Sequence, residues 1–167
     1  MLSPYDEFPV HQTSRTFAEV LSTDFSWDDG CYFGIFNPDE KLFLACGYRV
    51  NPNSDMIGGF AILNIAGRQR SVRFSRCWRR DMRTHIGPFS VEVVEPLRRL
   101  HLALADNDSG IAFDLDWTGV SPAVLEEHHD AQNRMRKTTD QSRYCQPGAP
   151  SGFIALGERR WAVEPDG

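Results

Sequence analysis

The residues of this chain best equipped for chemistry lie in four places. The densest is Glu126-Glu127-His128-His129-Asp130. On a helix, ligands that share a metal ion sit three or four residues apart, whereas adjacent side chains diverge by about 100°. Glu126 or Glu127 with Asp130 has usable spacing, but a solvated charged face explains all five residues. The second place is Asp114 and Asp116, two apart on one face of an alternating segment. If that face lined a cavity, the two carboxylates would split their pKa values and one would serve as an acid, with His85 or His101 as partner. If it faces water, they are surface charge, which is the usual fate of the polar side of a half-buried strand.

The third place, Arg76, Arg79, Arg80 and Arg83 around Trp78, combines positive charge with an aromatic ring as nucleic-acid surfaces do. Asp81 interrupts it. The chain as a whole carries a net charge of −5 and an isoelectric point near 5.5, so an exposed, edge-protecting loop is the better account and no nucleic-acid partner is expected. The fourth is cysteine: Cys31, Cys46, Cys77 and Cys145 form no C-x-x-C pair and have no histidine at zinc spacing. They read as free thiols in a reducing compartment, Cys31 and Cys46 as small hydrophobes within strands. Gly-rich phosphate loops and the G-x-S-x-G elbow are both missing. These observations predict no catalytic residue, no metal and no cofactor in this chain.

The elements that must position such residues are strands. Cys31 to Phe36 and Leu42 to Val50 flank Asn37-Pro38-Asp39-Glu40 and predict a hairpin; Ile57 to Ile65 and Gln69 to Ser75 predict a second across Ala66-Gly67-Arg68. Between Gly87 and Trp117 the period of two is clearest, with Phe89, Val91, Val93, then Leu100, Leu102, Leu104, then Ile111, Phe113, Leu115 on one side. That pattern predicts an antiparallel meander. Ser121-Pro122 reads as a helix start, giving one short helix to about Ala131, followed by a polar lid or loop over residues 132 to 142. A final hairpin joins Ser151 to Leu156 with Arg160 to Val163. Trp27, Tyr32, Phe33 and Phe36 are assigned to core packing, with walls of a hydrophobic pocket as the alternative.

Residues 1–26, without a sustained period, read as an N-terminal arm with a helical turn near residues 16 to 21. Residues 27–167 read as one all-β domain, an antiparallel sandwich or open barrel. No basic leader precedes an apolar stretch, and no run of about 18 apolar residues could span a membrane. A cytoplasmic protein without a membrane span is expected. The turn signal at Glu164-Pro165-Asp166-Gly167 has no strand after it and predicts an unfinished sheet.

Trp27-Asp28, Tyr32-Phe33-Gly34-Ile35-Phe36, Gly47-Tyr48-Arg49-Val50-Asn51-Pro52-Asn53, Gly87-Pro88, Val94-Glu95-Pro96-Leu97-Arg98-Arg99, and Arg143-Tyr144-Cys145-Gln146 with Gly152 occur in an order of their own. That order resembles the N-terminal half of the AttH-like, lipocalin-related family that includes hydroxyneurosporene-synthase-type carotenoid hydratases. The resemblance implies a lipocalin-like domain, the first of two, with the reactive histidine and tryptophan in a later Arg-Asp-His-Ser-Trp-Gly segment that this chain does not contain. It implies binding of an apolar isoprenoid, steroid or lipid-like molecule without turnover. Trp27, Tyr48, Arg49, Arg143 and Gln146 are the positions expected to line or support that site. The missing C-terminal domain is the expected partner. The alternative is a non-catalytic module that homodimerises through a free sheet edge.

Overall fold

The structure, a computed structural model, describes residues 1–9 and 22–165. The helical turn expected near residues 16 to 21 lies outside the described residues. Two antiparallel sheets face each other and are not closed into a barrel. The four-stranded sheet runs β1 (Asp29–Asn37), β2 (Leu42–Asn51), β3 (Met56–Ile65), β4 (Arg68–Cys77) in sequence order. The six-stranded sheet contains β5 (His85–Ile86), β6 (Phe89–Glu95), β7 (Arg99–Leu104) and β8 (Ile111–Gly119), and adds the later hairpin β13 (Gly148–Leu156) and β14 (Arg159–Val163) beside β8. All three expected hairpins and the meander are present.

Alternation decides what the sheets enclose. Leu44, Cys46, Tyr48 and Val50 on β2, with Ile57, Ala61 and Leu63 on β3, turn inward. They meet Leu100, Leu102 and Leu104 on β7 and Ile111, Phe113 and Leu115 on β8. Phe33 meets Trp117 edge-on across the interface with ring centroids 5.9 Å apart, and Phe89 meets Phe113 at 6.4 Å. Each fully buried side chain of this size contributes on the order of 1.5–3 kcal/mol. At one end, the Trp161 indole and the Arg159 guanidinium both donate to Glu40 Oε2, at 3.0 and 3.2 Å, tying β14 to the β1–β2 turn.

The expected short helix does not form. The segment after Ser121 makes the two-residue strand β9 (Val124–Leu125), and β10 (His129–Asn133) follows, pairing with β11 (Arg136–Gln141). The predicted polar loop is therefore a hairpin. Ser121-Pro122 looked like an N-cap, but with no apolar stripe behind it a helix has nothing to bury, and helical stability comes mostly from such packing. The hairpin instead satisfies its backbone across β10 and β11 and its charges through Lys137, which pairs with Asp130 at 3.1 Å and Asp140 at 2.7 Å. Among the described residues, helical structure is limited to 3₁₀ turns at Pro4–Glu7 and Pro52–Ser54. No helix there is long and apolar enough to cross a membrane.

Candidate functional site

One end of the sandwich collects groups from five distant stretches of chain. Ser3 begins the arrangement: its backbone N–H and hydroxyl both donate to Asp6 Oδ2, at 2.5 and 3.0 Å. That reciprocal turn sets the 3₁₀ segment Pro4–Glu7 and presents the Glu7 carboxylate to the sheets. Glu7 Oε2 accepts the Leu97 N–H at 2.6 Å, and Glu7 Oε1 accepts the Tyr144 hydroxyl at 2.5 Å. Tyr144 belongs to the short strand β12 (Tyr144–Cys145), which pairs with β9.

Leu97 sits in the β6–β7 turn with φ of 59°, a left-handed conformation that a leucine adopts at a cost of about 1–3 kcal/mol. Two side chains hold it there. Glu7 takes its N–H, and Gln146 Nε2 donates to its carbonyl at 3.0 Å and to the Ser121 carbonyl at 2.6 Å. Gly119 makes room for Gln146, because a Cβ at that position would run into its amide.

Tyr48 and Cys31, partners in the β1–β2 register, turn inward at the same end. Burial pushes the Tyr48 phenol well above its ordinary 10.0, helped by the neighbouring Cys31, Asp29, Tyr144 and Glu7. Burial also raises Tyr144, with the Glu7 charge and hydrogen bond adding to it, and lifts the Cys31 thiol well above 9.0, with Cys46 contributing. All three groups stay protonated across the physiological range, so this end sets two neutral phenols and a neutral thiol beside the Glu7 carboxylate. Beside it lies an open groove of about 530 Å³ lined by Met1, Leu2, Leu97, Pro122, Ala123 and Leu125, where apolar side chains share the surface with backbone polar atoms. Leu97 belongs to both the groove and the polar cluster.

The five expected site residues divide. Tyr48 and Gln146 belong to this cluster. Trp27 is half-buried against the core at the same end of the four-stranded sheet, its carbonyl accepting Asn51 Nδ2 at 3.3 Å. Arg49 points to the opposite, outer face of β2, where it pairs with Asp28 at 3.1 Å. Arg143 is exposed and paired with Glu126. Glu7, Leu97 and Tyr144 were not expected. The alternation of exposure through Arg143, Tyr144, Cys145 and Gln146 was legible as a period of two that couples Tyr144 with Gln146. Nothing local announces Glu7.

The other sequence candidates lie on outer surfaces. His101 stands between Asp116, whose Oδ1 is 3.0 Å from its Nδ1, and Asp114, whose Oδ2 is 3.9 Å from its Nε2, on the solvent side of the six-stranded sheet. His85 pairs instead with Glu92 at 2.8 Å. His128 meets Asp140 at 2.8 Å on the β10–β11 hairpin. Among the described residues no cluster of three or more histidine, cysteine, aspartate or glutamate side chains is placed to hold a metal ion. Arg76 reaches inward to the carbonyls of His85, Cys77, Trp78 and Arg83, so it ties down the loop rather than presenting charge. All four cysteines are free. Phe33 packs in the core as expected, whereas Tyr32 and Phe36 do not: they project outward, 59% and 70% exposed, because β1 alternates and only its odd positions face the other sheet.

A family model described as Family of unknown function (DUF8625) matches residues 2–167. No curated protein and no solved structure compared with the chain gives a match.

Proposed function

The chain belongs to this family of unknown function, and from that premise we propose that it is a non-catalytic binding domain for an apolar molecule bearing a hydroxyl head, of the isoprenoid-alcohol or sterol kind. The observation that carries the reading is the groove of about 530 Å³, lined by apolar side chains, that shares Leu97 with the Glu7–Tyr144–Gln146 cluster. Small-molecule sites combine this range of volume with apolar walls and a few convergent polar groups. The apolar body would lie along Leu97, Pro122 and Leu125. A hydroxyl would donate to Glu7, a role the carboxylate denies to an anionic head by repulsion.

A strained Leu97 supports the same reading, since backbone strain held by surrounding groups is concentrated at binding and switching sites. The AttH-like, lipocalin-related resemblance is consistent with an apolar ligand and forms part of the proposal, as does a second β-domain completing the site. No turnover is assigned to this chain: its phenols and thiol are held protonated and the Glu7 carboxylate is engaged by two donors.

The test titrates the whole chain with geranylgeraniol and with cholesterol, reading tryptophan fluorescence. Saturable binding of either is expected, weakened roughly tenfold or more in Leu125→Arg, whose side chain is half-exposed and carries little of the core. Lack of saturable binding to both probes, or equal binding by Leu125→Arg, would overturn the reading.

A further inference from the structure

The two main sheets have four edges, and three are defended. Strand β4 carries Arg68, Arg70, Arg73 and Arg76, β14 carries Arg159 and Arg160, and β5 is only two residues long. Charged side chains and short strands are the usual means of preventing edge-to-edge pairing. Strand β1 has neither. It runs nine residues in unbroken register with β2, without a bulge or proline, and from Gly30 to Asn37 it carries no charge. Among the described residues no strand pairs with its outer side.

The outer face of β1 reads Gly30, Tyr32, Gly34, Phe36. This pattern is complementary to itself when reversed. In an antiparallel pairing centred on Phe33, Tyr32 stands across from Gly34 of the second copy and Phe36 across from Gly30. Each exposed ring then stands across from a glycine of the other copy, so no two large side chains oppose one another, and the Tyr32 and Phe36 rings, which lie 3.4–3.6 Å from the Cβ site of Gly34 in their own strand, extend one apolar surface across the pair. The Phe36 ring is already held on this face, stacked on Phe43 with centroids 4.6 Å apart. Asp29 falls opposite Asn37, and the two Asp29 carboxylates lie roughly 27 Å apart, at opposite ends of the paired strands, well beyond the screening distance at physiological salt.

We propose that β1 is a homodimerisation edge, joining the four-stranded sheets of two copies antiparallel about Phe33. A two-fold axis between the two paired strands makes the contact isologous, so it closes at two copies and leaves the arginine-guarded edges outermost. The interface lies on the edge and outer face of the first sheet and does not depend on the ligand reading above.

Sedimentation equilibrium of the whole chain from micromolar to millimolar concentration, with hydrogen exchange at both extremes, tests this. The expected result is a monomer–dimer equilibrium with β1 amides protected as the dimer forms. Phe36→Lys and Tyr32→Lys each raise the dissociation constant roughly tenfold or more, with circular dichroism unchanged because both side chains are exposed. A monomer at every concentration overturns the proposal. So does a dimer indifferent to both substitutions, or association that grows past two copies.

Discussion

The Tyr144 hydroxyl donates to Glu7 Oε1 across 2.5 Å, joining residues 137 positions apart. It fastens the N-terminal 3₁₀ turn over the end of the sandwich, and Glu7 also holds the strained Leu97. A double-mutant cycle with Glu7→Ala and Tyr144→Phe is therefore expected to give a coupling energy of about 1–3 kcal/mol in urea unfolding, the range for a hydrogen bond to a charged group. Additive losses would mean that the two side chains act independently.

Alkaline pH is expected to destabilise the fold. Burial raises the Cys46 thiol from 9.0 to about 12, so the folded chain keeps a proton that the unfolded chain releases above pH 9. The stability this supplies is complete below pH 9 and is lost as pH climbs from 9 to about 12, with a limiting slope of about 1.4 kcal/mol per pH unit. Cys31, Tyr48 and Tyr144 are raised as well and act in the same direction. The urea midpoint should fall above pH 9, and less steeply in Cys46→Ala. A midpoint unchanged up to pH 11 would contradict this account.

Gly59 on β3 faces the six-stranded sheet, and a Cβ there would stand 2.5 Å from Phe89 Cδ1 and 3.2 Å from Ile86 Cδ1. Phe89 and Ile86 are fully buried and cannot retreat. Gly59→Ala should cost about 1–3 kcal/mol by overpacking, read as a lowered urea midpoint. The Gly67→Ala control, at a turn position with nothing near its Cβ site but a φ of +82°, separates packing from backbone strain.

Trp78 is 3% exposed, and its indole N–H has no hydrogen-bond partner among the described residues. A buried donor left unpaired costs about 1–3 kcal/mol. Trp78→Phe removes that donor along with part of the ring, so the two effects oppose and the change in stability is expected to stay within about 1 kcal/mol. A loss near the 3–5 kcal/mol typical of truncating a buried tryptophan to alanine would show that the whole ring is required for packing.

The strand pattern was readable because side-chain alternation is a local property. Leu100, Leu102 and Leu104, or Ile111, Phe113 and Leu115, declare one buried face within a few residues, and Pro38-Asp39 and Ala66-Gly67 mark where the chain must turn. The segment after Ser121 was misread for a related reason: a cap signal says where a helix can begin, not whether any partner will bury it. Tyr32 and Phe36 were assigned to the core by residue type, although their alternation with the buried Phe33 and Ile35 points them to the outer face.

What the sequence determined by itself was the all-β class, the inward faces of the main strands and the lack of local metal or phosphate motifs, since each follows from neighbours one to four residues apart. Tertiary structure alone decided that Glu7 meets Tyr144 and Leu97, that His101 lies between Asp114 and Asp116 on an outer face, and that β1 is an edge strand whose outer side pairs with no strand among the described residues. Those relations depend on which strands become neighbours, and that is fixed by how the two sheets pack over their shared core.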